Sequence, residues 1–211
     1  MLTKAELRRR LLAQRATLTL AEIEHKSTII AAYVCALPAF RVSPTIMVYM
    51  ALPQEVQTMQ IIAQARQLHK CVAVPVVHGD HLIAVELSAD PEQLQRGRFG
   101  ILEPYGSQRV IHPQEIGCIT VPGVAFNSRG GRLGFGKGYY DRFLGQLPAT
   151  TYRCGLAFGI QMVPCVPQGS HDICMHGIVT EQGYIPCMHT LLAMGEATST
   201  PAGYKENCVA V

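Results

Sequence analysis

Tryptophan is absent from the 211 residues, aspartate occurs only four times, and charged residues make up 16% of the chain. An ordinary soluble protein carries ~25% charged residues, so the shortage argues against disorder and against a solvated helical rod. No two of the eight cysteines stand in C-x-x-C spacing. A chain of this length needs no covalent staples, so the thiols read as reduced and mostly buried. The eight histidines show no H-x-x-x-H or H-E-x-x-H pairing, which speaks against a zinc site. Long apolar runs are also missing: the charge-free stretches Ser27 to Phe40 and Cys154 to Ser170 contain proline or glycine. They fall short of the ~20 apolar residues of a spanning helix, so no membrane is expected as a partner. The first residues turn charged and helical at once, with no signal peptide, and the compartment expected is the cytoplasm. A net charge of +3 is too small to call for nucleic acid. Small-molecule substrates, anionic ones included, are the partners that remain, and the chain is expected to act as a monomer.

What is present is a rather apolar chain, 48% hydrophobic, whose 13 prolines and 19 glycines follow no period. That composition fits one compact α/β domain, assigned to 1–186. Alanine, threonine, serine and glycine dominate near the end, so 187–211 is assigned to a poorly ordered tail.

Thr3-Lys-Ala-Glu6 and Thr19-Leu-Ala-Glu22 are both capping boxes and announce two N-terminal helices. The first, from Lys4 to Ala16, places Lys4 and Arg8 on one face, and the second is expected to stop at Pro38. Thr45 to Ala51 reads as a buried strand, Val56 to Leu68 as a helix and Cys71 to Val77 as a second strand. That order implies a right-handed crossover and a parallel pair, with His78-Gly-Asp-His81 turning into an antiparallel strand, Leu82 to Glu86. Gly117 to Val121, Tyr152 to Phe158 and Gly177 to Thr180 complete a mixed sheet, and a helix is expected over Gly138 to Leu147.

Chemistry concentrates in Gly130 to Arg142, where five glycines and several cations stand between a strand and a helix. Glycine lets phosphate oxygens approach the main chain and permits positive φ, and a helix start adds partial positive charge. Phosphate binding follows, the plainer reading being a glycine-rich surface turn. Gly131 to Lys137 spells G-x-x-x-x-G-K, but Gly138 stands where a P-loop needs a hydroxyl for magnesium. Asp141 could supply the missing oxygen in a different geometry. Asp80 and Asp90 sit in turns as solvated residues, which leaves Asp141 and Asp172 as the candidate metal pair; a turn or cap role is the other reading of Asp172. Lys4 and Arg8 could equally be a solvated helix face. Glu55 could be a plain loop carboxylate, although ligands gather beyond the carboxyl ends of parallel strands.

Ile119-Thr-Val-Pro-Gly-Val-Ala-Phe126 followed by Gly131-Arg-Leu-Gly-Phe-Gly-Lys-Gly-Tyr-Tyr-Asp-Arg-Phe-Leu144 resembles the signature of the 5-formyltetrahydrofolate cyclo-ligase (5,10-methenyltetrahydrofolate synthetase) family. The likeness extends over Lys4-x-x-x-Arg8, Glu55-Val-Gln-Thr58, Gly100-Ile-Leu-Glu-Pro104 and His171-Asp172. It implies a three-layer, Rossmann-like mixed sheet, mostly parallel and flanked by helices, of the group shared with ribose-5-phosphate isomerase and CoA transferases. It also implies ATP- and Mg-dependent closure of 5-formyltetrahydrofolate to 5,10-methenyltetrahydrofolate. By the same resemblance Lys4 and Arg8 correspond to a phosphate clamp. Arg132, Leu133, Gly134, Phe135, Gly136, Lys137, Gly138, Tyr139 and Tyr140 correspond to the ATP loop, with Arg132, Lys137 and Tyr139 catalytic. Met50, Glu55 and Tyr139 match folate contacts, and Asp141 and Asp172 match the magnesium ligands. Three positions depart from the pattern: Asn127 and His176 stand where the family commonly has aspartate, and Phe135 where it often has a basic or polar residue. These departures leave room for a non-catalytic nucleotide- or folate-binding relative, and the loss at His176 is expected to thin the metal shell.

Overall fold

The computed structural model describes residues 2–88, 94–96, 102–105 and 109–187. The expected turn at Asp90, Gly100 and Ile101 at the start of the Gly100 to Pro104 segment, and the tail beyond 187 lie outside the described residues.

Both capping boxes close reciprocally, the Thr3 and Thr19 hydroxyls accepting from the backbone of Glu6 and Glu22 while those carboxylates accept from the cap N–H groups. They start α1 (Lys4–Arg15) and α2 (Leu20–Ala36). Helix α2 ends just before Pro38 as expected, and Pro38 itself occupies the first turn of a short α3 (Pro38–Val42). A helix start tolerates proline because the missing N–H would have no helical partner there. Strand β1 (Thr45–Met47) is shorter than Thr45 to Ala51, because after one more bond, Val48 N–H to Ala73 O at 2.8 Å, the chain leaves the ladder for a loop. Helix α4 (Met59–Gln67) starts later than Val56 for the same reason. Strand β2 (Cys71–His78) returns parallel to β1, and β3 (His81–Glu86) pairs antiparallel with β2, as expected.

Two further pairs are not evident in the sequence pattern: β4 (Leu94–Arg96) with β5 (Leu102–Pro104), and β8 (Ala125–Phe126) with β9 (Arg132–Leu133). Also unexpected are β6 (Val110–Ile111) and the edge strand β12 (Gly183–Pro186). The remaining elements are β7 (Cys118–Val121), α5 (Tyr139–Leu144), β10 (Tyr152–Leu156) and β11 (Gly177–Thr180). The main sheet runs β12-β11-β10-β7-β1-β2-β3-β6. Its five central strands are parallel and the outer ones antiparallel, so the chain has the mixed, mostly parallel α/β fold expected of it.

Alternation along the strands makes three layers. Ile46, Val72, Val74 and Cys118 pack with Ile30, Val34, Ile61 and Ile62 of α2 and α4, whereas Met47, Ala73, Ile119 and Val121 pack with Phe143 and Leu144 of α5. Helix α1 stands apart: Leu7 and Leu11 join Val124, Ala125, Leu133 and Val166 in a separate cluster that fastens it to the β8–β9 hairpin. Of the seven described cysteines only Cys118, Cys154 and Cys187 are buried and the other four are partly exposed, which corrects the expectation of mostly buried thiols. Burial pushes the Cys118 and Cys187 thiols up to about 12. No described helix is long and apolar enough to cross a membrane.

Candidate active site

From β1 the chain moves to β2 on one side of the sheet and later returns to β7 on the other side of β1. In open parallel sheets a ligand crevice forms beyond the carboxyl ends of strands at such a reversal. A cavity of about 550 Å³ lies there, lined by Tyr49, Met50, Leu52 and Glu55 after β1 and by Pro122 after β7. All fifteen residues singled out from the sequence line this one cavity. Pro75, Val77 and Leu82 from the β2–β3 hairpin, with Tyr49, Leu52 and Pro122, were not singled out. The period-two spacing of Pro75 and Val77 is a signal that could have placed them on one face.

The loop after β1 is tied from within. The Glu55 carboxylate accepts the Leu52 N–H at 3.0 Å, the Gln57 amide donates to the Leu52 and Glu55 carbonyls, and the Thr58 hydroxyl donates to Tyr49 O at 2.6 Å. Glu55 is thereby held at 6% exposure. Burial raises its pKa, while the Leu52 N–H and the Arg15 charge act to lower it, and the balance is a carboxyl above its ordinary value.

On the opposite wall, β9 leads into the Gly134 to Gly138 loop. Gly136 at φ 103° and Gly138 at φ 68° need a left-handed backbone, and Arg8 packs against Gly136. Arg8 Nε donates to the Gly134 carbonyl at 2.8 Å, and Lys4 meets Asp172 at 2.6 Å, so α1 reaches the loop as well as the segment before β11. Asp172 also accepts the Gly169 N–H; burial would raise its pKa, but Lys4 and that N–H outweigh it and hold the carboxyl below its ordinary value. Lys137 is exposed, but Arg132 is only 6% exposed, not the loop-surface residue its glycine neighbours suggest. Its guanidinium donates to Pro122 O and to Asp141 at 2.8 Å, lies 5.6 Å from the Tyr140 ring, and leaves Nε buried without a partner. Helix α5 has six residues, too short for much macrodipole, so anion attraction rests on Lys4, Arg8, Arg132, Lys137 and loop N–H groups.

Asp141 and Asp172 share the cavity wall, but each is already bonded to a cation, and no group of three or more His, Cys, Asp or Glu among the described residues could hold a metal ion. Two carboxylates without a protein cage suit magnesium, which keeps several waters and takes its other ligands from phosphate oxygens. Neither Asn127 nor His176 lines the cavity. Asn127 Oδ1 accepts the N–H groups of Arg129 and Gly131 and shapes the β8–β9 turn. His176 accepts the Arg153 N–H at 3.0 Å and stacks on Tyr152, at the amino ends of β10 and β11. Phe135 alone of the three departures faces the cavity.

The model of the 5-formyltetrahydrofolate cyclo-ligase family matches residues 1–181. A probable 5-formyltetrahydrofolate cyclo-ligase of Schizosaccharomyces pombe is 31% identical over 77% of this chain and 87% of its own length. The 5-formyltetrahydrofolate cyclo-ligase of Mus musculus is 28% identical over 84% of this chain and 91% of its own. Among solved structures, the 5,10-methenyltetrahydrofolate synthetase of Aquifex aeolicus superposes with a TM-score of 0.79 at 31% identity, covering 89% of this chain and 94% of that one.

Proposed function

The chain belongs to the 5-formyltetrahydrofolate cyclo-ligase family of enzymes, and on that footing we propose that it closes 5-formyltetrahydrofolate to 5,10-methenyltetrahydrofolate at the expense of ATP, with magnesium. The observation that carries the reading is one cavity with a cationic, glycine-lined wall and, across it, a buried carboxylate among apolar side chains. The first wall suits a triphosphate and the second suits a reduced pterin, whose amino and ring N–H edge a carboxylate accepts.

A formyl oxygen leaves poorly as hydroxide and well as phosphate. In the proposed sequence that oxygen attacks the γ-phosphorus and ADP departs, giving an imidate phosphate. The N10 amine then attacks the imidate carbon and loses its proton, and phosphate leaves as the methenyl bond forms. No covalent enzyme intermediate is needed, so the protein's work is alignment and charge stabilisation. Lys4 and Arg8 hold the phosphates from α1, Lys137 reaches them from the loop, and Arg132 stands behind to stabilise charge as it shifts to the leaving oxygen. Met50 and Glu55 hold the pterin and Tyr139 borders the formyl group. Asp141 and Asp172 would hold magnesium, which when bound neutralises phosphoryl charge.

A non-catalytic relative is the alternative. Two of the three departures on which it rested, Asn127 and His176, hold posts outside the cavity, which supports turnover. The reading includes a monomer of one domain over 1–186, working in the cytoplasm on small molecules. Incubation with 5-formyltetrahydrofolate and MgATP should produce methenyl absorbance and one ADP per methenyl group. ADP without methenyl product, or neither, refutes the assignment.

A further inference from the structure

Arg142 of α5 is exposed and does not itself line the cavity. Its guanidinium nonetheless joins two of the cavity's walls. Nη2 donates to the Asp80 carbonyl at 2.5 Å, in the turn between β2 and β3, across 62 residues of chain. Cζ lies 5.4 Å from the centre of the Tyr139 ring, which lines the cavity. Nη1 fills the space beside Gly138, where an added Cβ would come within 2.9 Å of it.

The β2–β3 hairpin is held unevenly. Toward its base Leu82 and Ala84 pack with Phe143 and Leu144, but His78, Gly79, Asp80 and His81 at the tip are all exposed. Val77 and Leu82, paired directly below that tip, line the cavity together with Pro75. A two-stranded ribbon whose end has no apolar cover is marginal by itself, so its position depends on what fastens it.

We propose that Arg142 is a positioning residue for the folate half of the site: it braces the hairpin tip against Tyr139 and keeps the wall of Pro75, Val77 and Leu82 at its working distance from that ring before substrate arrives. The inference rests on the proposed placement of folate between these groups. A guanidinium suits the post because its rigid fork of donors can serve a carbonyl and an aromatic ring at once. With the tip unfastened, only a fraction of the empty molecules offers the competent cavity, and apparent affinity falls by that fraction. Bound folate then fills the gap and holds both sides, so chemistry within the complex is largely spared. The triphosphate wall is spared as well. Gly138 is also held by a main-chain bond, Arg142 N–H to Gly138 O at 3.1 Å, which no change of the Arg142 side chain removes.

The test compares Arg142→Ala and Arg142→Lys in the full chain. In Arg142→Ala the KM for 5-formyltetrahydrofolate should rise about three- to tenfold, the range left to a charged hydrogen bond after allowance for its exposure. Its calorimetric Kd should rise in parallel, while kcat and the ATP KM each change less than about twofold. Arg142→Lys, which can still donate to the Asp80 carbonyl and bring a cation to the Tyr139 ring, should recover part of the loss. With no ligand present, hydrogen exchange in Arg142→Ala should quicken over the hairpin tip, 76–83, and stay unchanged over β1 and β7. The melting temperature should hardly move, because the side chain is exposed. Unaltered exchange at the tip overturns the inference. So does a loss of kcat at constant folate KM, which would put Arg142 at the reacting atoms, and so do equal rises in both KM values. A large fall in melting temperature that Arg142→Lys does not restore overturns it too, by showing a merely structural arginine. If the unaltered protein neither binds nor converts 5-formyltetrahydrofolate, the proposed function falls, and the exchange result alone then decides whether Arg142 braces the hairpin.

Discussion

Lys137 is exposed and Arg132 is not, and that difference separates what their removal should do. Lys137→Ala should raise the ATP KM about tenfold or more, since bonds to charged groups are worth ~1.5 to 3 kcal/mol, with the melting temperature almost unchanged. Arg132→Ala should lower turnover and also cost about 3 kcal/mol of stability, because it strands Asp141 and the Pro122 carbonyl. Steady-state kinetics beside thermal melts distinguish the two; equal melting temperatures would contradict the buried role of Arg132. Asp141→Asn keeps an acceptor for Arg132 but loses the charge, so turnover should fall at ordinary magnesium and recover partly when magnesium is raised, whereas a mere cap would show wild-type dependence. His176 is a stability residue rather than a site residue. Burial, then the Arg153 charge, push its pKa from 6.5 down to about 4. The unfolded chain therefore binds the proton first, and stability should decline as pH falls from 6.5 toward about 4. His176→Asp, whose carboxylate can still accept the Arg153 N–H, should remove that decline and move the acid loss below pH ~4, as denaturant midpoints against pH would show.

The two capping boxes are alike in sequence but start helices with different duties. Thr19→Ala should cost about 1 kcal/mol and leave kinetics alone, because α2 serves the core layer. Thr3→Ala should cost a similar amount, about 1 kcal/mol, and also raise the ATP KM, because fraying of the first turn releases Lys4. Matching KM values in both variants would deny α1 its part in the site. Elements with strong local signals are legible in the sequence: the boxed helices, the β-branched parallel strands and the β2–β3 hairpin. The β8–β9 pair is not, since two-residue strands carry no periodicity and their glycines read only as loop. The burial of Arg132 follows from that hidden pairing. The fifteen residues named from the sequence line one cavity and are legible because a specific motif carries them, but their partners are not: nothing local announces that Lys4 meets Asp172.

At the scale of the molecule, acid should loosen the ties that hold the helices to the last strands. Lys4–Asp172 and Lys26–Glu181 both join an N-terminal helix to the neighbourhood of β11. Burial would raise both carboxyls, but the lysines and nearby N–H groups outweigh it, so each sits below its ordinary value. Their contribution is complete above the unfolded pKa near 4 and disappears as pH falls through the lower folded values, so these ties should add a further fall in melting temperature below pH ~4, beyond the one that His176 causes above it. No further fall between pH ~4 and pH ~3 would show that these ties carry no stability. The Lys4–Asp172 bond closes over 168 residues of chain. A nascent polypeptide emerging from the ribosome can pair β1 with β2 early, but Lys4 must wait for Asp172 before that wall of the cavity is whole. Nucleotide capture should therefore lag behind sheet formation during synthesis, and in the proposed reading ATP meets only finished molecules, never half-made ones that would waste it.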